Sequence, residues 1–243
     1  MARARIQLEP GYVLNARAYG DTSLLLEIFT RAHGRVGLVA KGARGPKSRT
    51  RALLQPLQPL LLSWYESGEL GTLTGAEAQA APVTLVGERV FFAWYLNELL
   101  LHLLQRHDAH PSLFDCYATA LSQLAGDEAE AALRVFEKHL LAETGYGLHL
   151  DTDLRADALY RYDDEVGAVP VNAGAEALLG ASLMALRDET PFDARALGDT
   201  RKLLRPLLAR QLGGKELETA KLLREMRRGP AAARTPGAEP GPE

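Results

Sequence analysis

One cysteine in 243 residues, Cys116, excludes a disulfide framework and a four-thiolate zinc site, and it suits a reducing compartment. The sequence also lacks a long apolar run. Its best stretch, Phe91 to Leu104, is broken by Asn97, Glu98 and His102, short of the ~20 apolar residues that a membrane-spanning helix needs. The N-terminal MARARIQLEPGYV is basic, but no apolar segment of signal-peptide length follows it, so a cytoplasmic rather than a secreted protein is expected. Catalytic signatures are missing as well. Gly37 and Gly42 have the spacing of a phosphate-binding loop, yet Ala43 and Arg44 follow where Lys and Ser or Thr are required. Gly213-Gly214-Lys215 continues as Glu216-Leu217 and reads as a helix stop. His102, His107 and His110 show neither an HExxH pattern nor paired cysteines, and no nucleophile stands in a recognisable trio. The expectation is a non-enzyme that uses neither cofactor nor metal.

What is present is a segregation of charge that the formal sum of −3 conceals. Residues 1–51 carry 10 Lys and Arg against 3 Asp and Glu, residues 52–200 carry 8 against 23, and residues 201–228 carry 9 against 3. Beyond about 8 Å at physiological salt, charges are screened, so the N-terminal block presents its own positive field. Its densest part is KGARGPKSRTR, residues 41–51, where Lys41, Arg44, Lys47, Arg49 and Arg51 occur without an acid and Gly42, Gly45 and Pro46 dictate a loop. Such cations can follow successive phosphates by displacing counterions. Arg17, Arg31 and Arg35 extend the same patch. The competing reading is a solvated basic loop with no ligand.

Short strands separated by turns are expected over Gly11–Tyr19, Thr22–Thr30, Arg35–Ala40, Leu57–Tyr65 and Leu70–Glu77, with Leu24, Leu26 and Ile28 alternating as in a half-buried strand. Five strands in about 70 residues match the size of an OB-fold barrel, whose face and loops hold oligonucleotides. Of its aromatics Tyr12, Tyr19, Phe29, Trp64 and Tyr65, roughly two thirds should fill the core, leaving one or two for base stacking. After Pro82 the period becomes helical, with helices expected over Val86–Arg106, Pro111–Ala125 and Asp127–Thr144. Residues 149–172 read as a small hairpin turning at Asp163, Asp164 and Glu165. Helices return over Ala175–Arg187, Asp199–Leu212, with Asp199 as N-cap, and Glu216–Arg227. Pro206 should kink or restart the second of these. The fold class is therefore α+β and multidomain: residues 1–80 a five-stranded OB-fold barrel, 81–228 an α-helical domain with an irregular excursion at 149–190, and 229–243 a disordered tail rich in Pro, Gly and Ala.

Arg134 is conspicuous, because it and Lys138 are the only cations in residues 113–145. Beside Leu133, Phe136 and Leu140 it could receive an acidic, apolar peptide end. An ion pair with Glu130, four residues before it, is the alternative.

The segments GRVGLVAKGARGPKSR, LLQPLQPLLLSW, YLNELLLHLL, RVFEKHLLAETGYG and LLRPLLARQLGGKEL together resemble the bacterial recombination mediators of the RecO family over residues 8–225. The resemblance implies a non-catalytic DNA repair protein that binds single- and double-stranded DNA and anneals complementary strands. It further implies help in loading the RecA recombinase on strands coated with single-stranded DNA-binding protein, with RecR as a partner, in the cytoplasm at the nucleoid. By position it places DNA contacts on Arg35, Lys41, Arg44, Lys47 and Arg49, to which Arg17 and Arg51 are added as neighbours. It places the acidic, phenylalanine-ended tail of the single-strand-binding protein on Arg134, Phe136 and Lys138. Some relatives carry four zinc-binding cysteines after GYG; residues 148–190 here have none, which implies the zinc-free form. An OB-fold protein that binds RNA is the rival reading.

Overall fold

Tyr12, Val13 and Leu14 are consecutive and apolar, and successive side chains of a strand point to opposite faces, so both faces of this strand must be covered. The computed structural model, which describes residues 4–46, 48, 50–150 and 153–228, shows how. Strands β1 (Arg5–Tyr19), β2 (Ser23–Thr30), β3 (Gly34–Ala40), β4 (Leu60–Tyr65) and β5 (Leu70–Ala78) close into an OB-fold barrel in the order β1-β2-β3-β5-β4. A four-residue helix, α1 (Thr50–Leu53), lies between β3 and β4. β3 and β5 pair in parallel over Gly37–Val39, and the remaining pairs are antiparallel. Val13, Leu26, Ile28, Leu38, Leu60 and Trp64 fill the barrel. Tyr12, Leu14 and Phe29 face outward into a second core, where Tyr12 and Phe29 meet the rings of Phe114 and Tyr117.

Two strand starts differ from expectation by more than one residue. β1 starts at Arg5, because its first half pairs with β4 while its second half pairs with β2, and register shifts at Ile6/Glu9 and Val13/Asn15 let one strand serve both. β4 starts at Leu60 rather than Leu57, since Leu57 has φ 70 and Pro59 has no N–H to give a ladder.

The chain then forms α2 (Glu88–Leu103), α3 (Pro111–Gln123) and α4 (Ala129–Glu143). A sheet of β6 (Leu159–Asp163), β7 (Gly167–Val171) and β8 (Leu178–Leu179) follows, then α5 (Gly180–Asp188), α6 (Ala194–Gln211) and α7 (Glu218–Arg228). The hairpin turns where expected, with Asp163 Oδ1 accepting from the N–H groups of Glu165 and Val166. The helix expected from Ala175 begins only at Gly180, because Leu178 and Leu179 pair with Tyr160 and Leu159. Asp193, not Asp199, caps α6, accepting from Ala196 N at 2.7 Å. Asp199 is instead buried within that helix and accepts from Leu179 N, Ser182 Oγ and Arg195 Nε at 2.9–3.0 Å. α6 runs unbroken through Pro206, so the expected restart does not occur, and it stops at Gly213 and Gly214, both at positive φ. No described helix is long and apolar enough to cross a membrane.

Two side chains of α2 join distant parts. Asn97, 4% exposed, donates to Leu14 O of β1 at 3.1 Å and accepts from Tyr117 OH of α3 at 2.5 Å. Glu98 takes the N–H groups of Glu218 and Thr219 and the Thr219 hydroxyl, and so supplies the acceptors that the first turn of α7 lacks. Gly34 fits where a Cβ would collide with the Asp108 carbonyl, and Arg31 makes a two-pronged pair with Asp115 at 2.9 and 3.0 Å.

Candidate nucleic-acid interface and peptide groove

At the end of β3 the chain turns at Gly42, whose φ of 69 a side chain would oppose, and inserts Ala43 into the barrel core. The Arg44 N–H then donates to Thr22 O at 2.7 Å and its guanidinium to Gly20 O at 3.1 Å. The root of the basic loop is thereby fastened to the β1–β2 turn, with Lys41 and Arg44 exposed beside it. Arg17, near the end of β1, is exposed, and so is Arg51 on α1, whose N–H is held by Ser48 Oγ. Arg17, Lys41, Arg44 and Arg51 have no carboxylate partner among the described residues. Asp21 is exposed on the same turn. Lys47 and Arg49 lie outside the described residues, as does the 229–243 tail.

Arg35 must be taken out of this set. Its guanidinium turns toward the helices and donates to Leu101 O, while its carbonyl accepts from His107 N at 3.0 Å. Burial holds its pKa down against the Glu27 charge, and the neighbouring Arg106 lowers it further. A β3 side chain at this position is committed to the barrel–helix junction, where Arg106 also pairs with Glu27. Tyr12, Phe29 and Trp64 are buried, whereas Tyr19 is 46% and Tyr65 37% exposed. Tyr19 adjoins Gly20, the residue that holds the Arg44 side chain. Tyr65 sits under the Arg5 guanidinium, 5.8 Å from its ring centre.

The helical region has a groove of different character. Phe91, Phe92 and Tyr95 of α2, Leu133 of α4, and Ala220 and Leu223 of α7 form its apolar walls. Arg134 lies within it and Arg201 of α6 is exposed at its edge. Arg134 is only 9% exposed and pairs with Glu137 rather than Glu130: Nη1 stands 3.0 Å from Oε2. The buried acid, not the solvated one, requires the counter-charge. Glu137 also accepts from Tyr95 OH at 2.6 Å. Burial pushes its carboxyl up, and the Arg134 charge and the Tyr95 hydroxyl oppose that shift.

Two residues expected beside Arg134 do not face the groove. Phe136, two positions and about 200° further round the helix, is fully buried in the core. Lys138 donates to Leu186 O and Arg187 O at 3.1 and 3.2 Å and pairs with Glu189, closing the C-terminal end of α5. The walls from α2 and α7 escaped the sequence reading, which placed both helices without bringing them together; Glu98 links the two. Cys116 is half-buried and packs against the core as an apolar filler, its thiol pushed up to about 12 by burial and the Glu189 charge.

Comparison with known proteins places these features together. The family model described as Recombination protein O N terminal matches residues 5–81, and that described as Recombination protein O C terminal matches residues 86–220. A DNA repair protein RecO of Dechloromonas aromatica is 43% identical over 236 residues, covering 92% of this chain and 98% of that protein. Proteins of the same name from Nitrosococcus oceani and Methylococcus capsulatus are 45% and 42% identical, over 92% and 91% of this chain and 95% and 94% of theirs. Both the barrel and the helical region thus match models of one family, and the chain belongs to the RecO family of DNA repair proteins.

Proposed function

We propose that this protein binds single- and double-stranded DNA through the barrel region, residues 1–80, and engages partner proteins through the helical region, 81–228, without turning over a substrate of its own. The observation that carries this reading is the anchored basic loop: exposed Lys41 and Arg44 at a fixed root, flanked by Arg17 and Arg51, and continued in sequence by Lys47 and Arg49. Cations that need no internal partner are free to replace condensed counterions on phosphates. Tyr19, exposed at the same turn, supplies a flat face on which an unpaired base stacks. Binding of this kind reads backbone and shape rather than sequence, as strand annealing requires.

The groove takes the acidic, phenylalanine-ended tail of the single-stranded DNA-binding protein: the ring enters the apolar walls and the carboxylate meets Arg134. Holding both the strand and the protein that coats it lets the molecule pair complements, and hand strands to RecA together with RecR, in the cytoplasm at the nucleoid.

With about five phosphates neutralised, the log–log salt slope on single strands is expected near −3.5, from ~0.7 per contact. K41E/R44E/K47E should abolish binding to oligonucleotides while the unfolding free energy changes by no more than about 1 kcal/mol, since Lys41 and Arg44 are exposed and exposed charges contribute little to folding. Retained affinity in that variant, or a preference for RNA over DNA of equal length, would defeat the assignment.

A further inference from the structure

The tail-binding reading leaves one group at the groove unused. Glu137 is 1% exposed, and a carboxylate so placed is costly to keep charged. It lies against Tyr95 of α2 and Arg134 of its own helix, with Arg201 and Arg205 of α6 on the same side of the molecule: Arg201 lines the groove, and Arg205 is close enough to act on the Tyr95 hydroxyl. Glu130 is the acid that lines the groove and is solvated, whereas Glu137 stands behind the lining. α7 brings only Thr219, Ala220 and Leu223 to the lining.

The pair that Glu137 makes with Arg134 has an unusual form. Nη1 and Oε2 are 3.0 Å apart, yet Oε2 receives no aligned N–H from any described residue. The two groups attract by charge, and the Arg134 nitrogens are not among the buried atoms left without a partner, so they stay in contact with the solvent of the groove. A peptide carboxylate that replaces that water meets the guanidinium with matching geometry.

We infer that Glu137 is a positioning residue that sets how tightly the groove holds a carboxylate-bearing peptide: it fixes the Arg134 side chain and, by cancelling part of its charge, keeps the affinity below what Arg134 alone would give. This rests on the reading of the groove as the tail site. The two roles separate on substitution. Glu137→Gln keeps the shape, offers a carbonyl to Arg134 and an amide N–H to the Tyr95 oxygen, and removes the opposing charge. Glu137→Ala removes the support itself.

The test measures fluorescence anisotropy of a labelled synthetic peptide, acidic and ending in Phe with a free carboxylate, against full-length protein, with the C-terminal amide of the same peptide as a second probe. Wild type binds the acid, and Arg134→Ala weakens it tenfold or more. E137Q binds it about three- to tenfold tighter, as expected for releasing one charge partly screened by protein and salt. E137A binds it more weakly than wild type, and the E137Q gain disappears with the amide. If E137Q is no tighter than wild type while R134A still weakens binding, the inference fails and the groove reading survives. If wild type does not bind, or R134A makes no difference, the groove reading itself fails. Should E137A not fold, the E137Q result with the two peptides decides alone.

Discussion

Asn97 shows what a single buried amide can hold. Its side chain satisfies a β1 carbonyl and an α3 phenol, one on each side of the barrel–helix junction. Asn97→Leu, alike in branching though larger in volume, leaves Leu14 O and Tyr117 OH buried without partners. At about 1–3 kcal/mol each, the loss is expected to reach about 2–6 kcal/mol in urea unfolding at unchanged m. A value below about 1 kcal/mol would mean that water reaches both groups. Residue by residue, the sequence was readable where chemistry alone decides and opaque where burial decides. Lys41 and Arg35 are equivalent cations on paper, and only the fold sends one to solvent and the other to Leu101 O. Arg134 stood out as an isolated cation, but Glu130 and Glu137 are both within helical reach of it, and tertiary packing chose the buried one.

At the scale of elements, periodicity located nearly every strand and helix, and the starts of β1 and α5 were misplaced because pairing across the chain sets them. The upstream half of β1 is visible only through β4, and β8 only through β6. Asp199 looked like a cap because it precedes an apolar period, whereas it anchors α6 to β8 and α5 from inside the helix. Burial pushes its carboxyl up, but the Leu179 N–H, Arg195 and Ser182 together outweigh that and hold its pKa below the ordinary value. A depressed folded pKa means stability that is present above the unfolded value, about 3.9, and lost as pH falls through the folded one. Asp199→Asn should therefore cost about 1.5–3 kcal/mol at pH 7, as for hydrogen bonds to a charged group, and progressively less in acid, until both proteins unfold alike below the folded pKa. A cost that is constant from pH 7 to pH 3 would show that the charge is irrelevant.

The whole molecule is joined more closely than its two kinds of architecture imply. Tyr12, Leu14 and Phe29 are the outer skin of the barrel and at the same time part of the helical core. Gly34 against Asp108 and Arg31 with Asp115 add contacts along the same seam. Calorimetry of the full chain should give one cooperative transition, and a fragment of residues 1–80 should bind the dye ANS through its uncovered aromatics. Two resolved transitions would contradict this. The basic loop of the candidate DNA surface was legible in the sequence because it is one contiguous segment. The groove was not, because four separate helices build it.

The grip of Glu98 on Thr219 carries a consequence for descent. Glu98 and Thr219 are 121 positions apart in the sequence, yet one carboxylate makes YLNELL and the start of α7 a single inherited unit, so a lineage that loses the acid at 98 must also rebuild the first turn of α7. Drift in either segment is then policed by the other, and the pair should change in step or not at all.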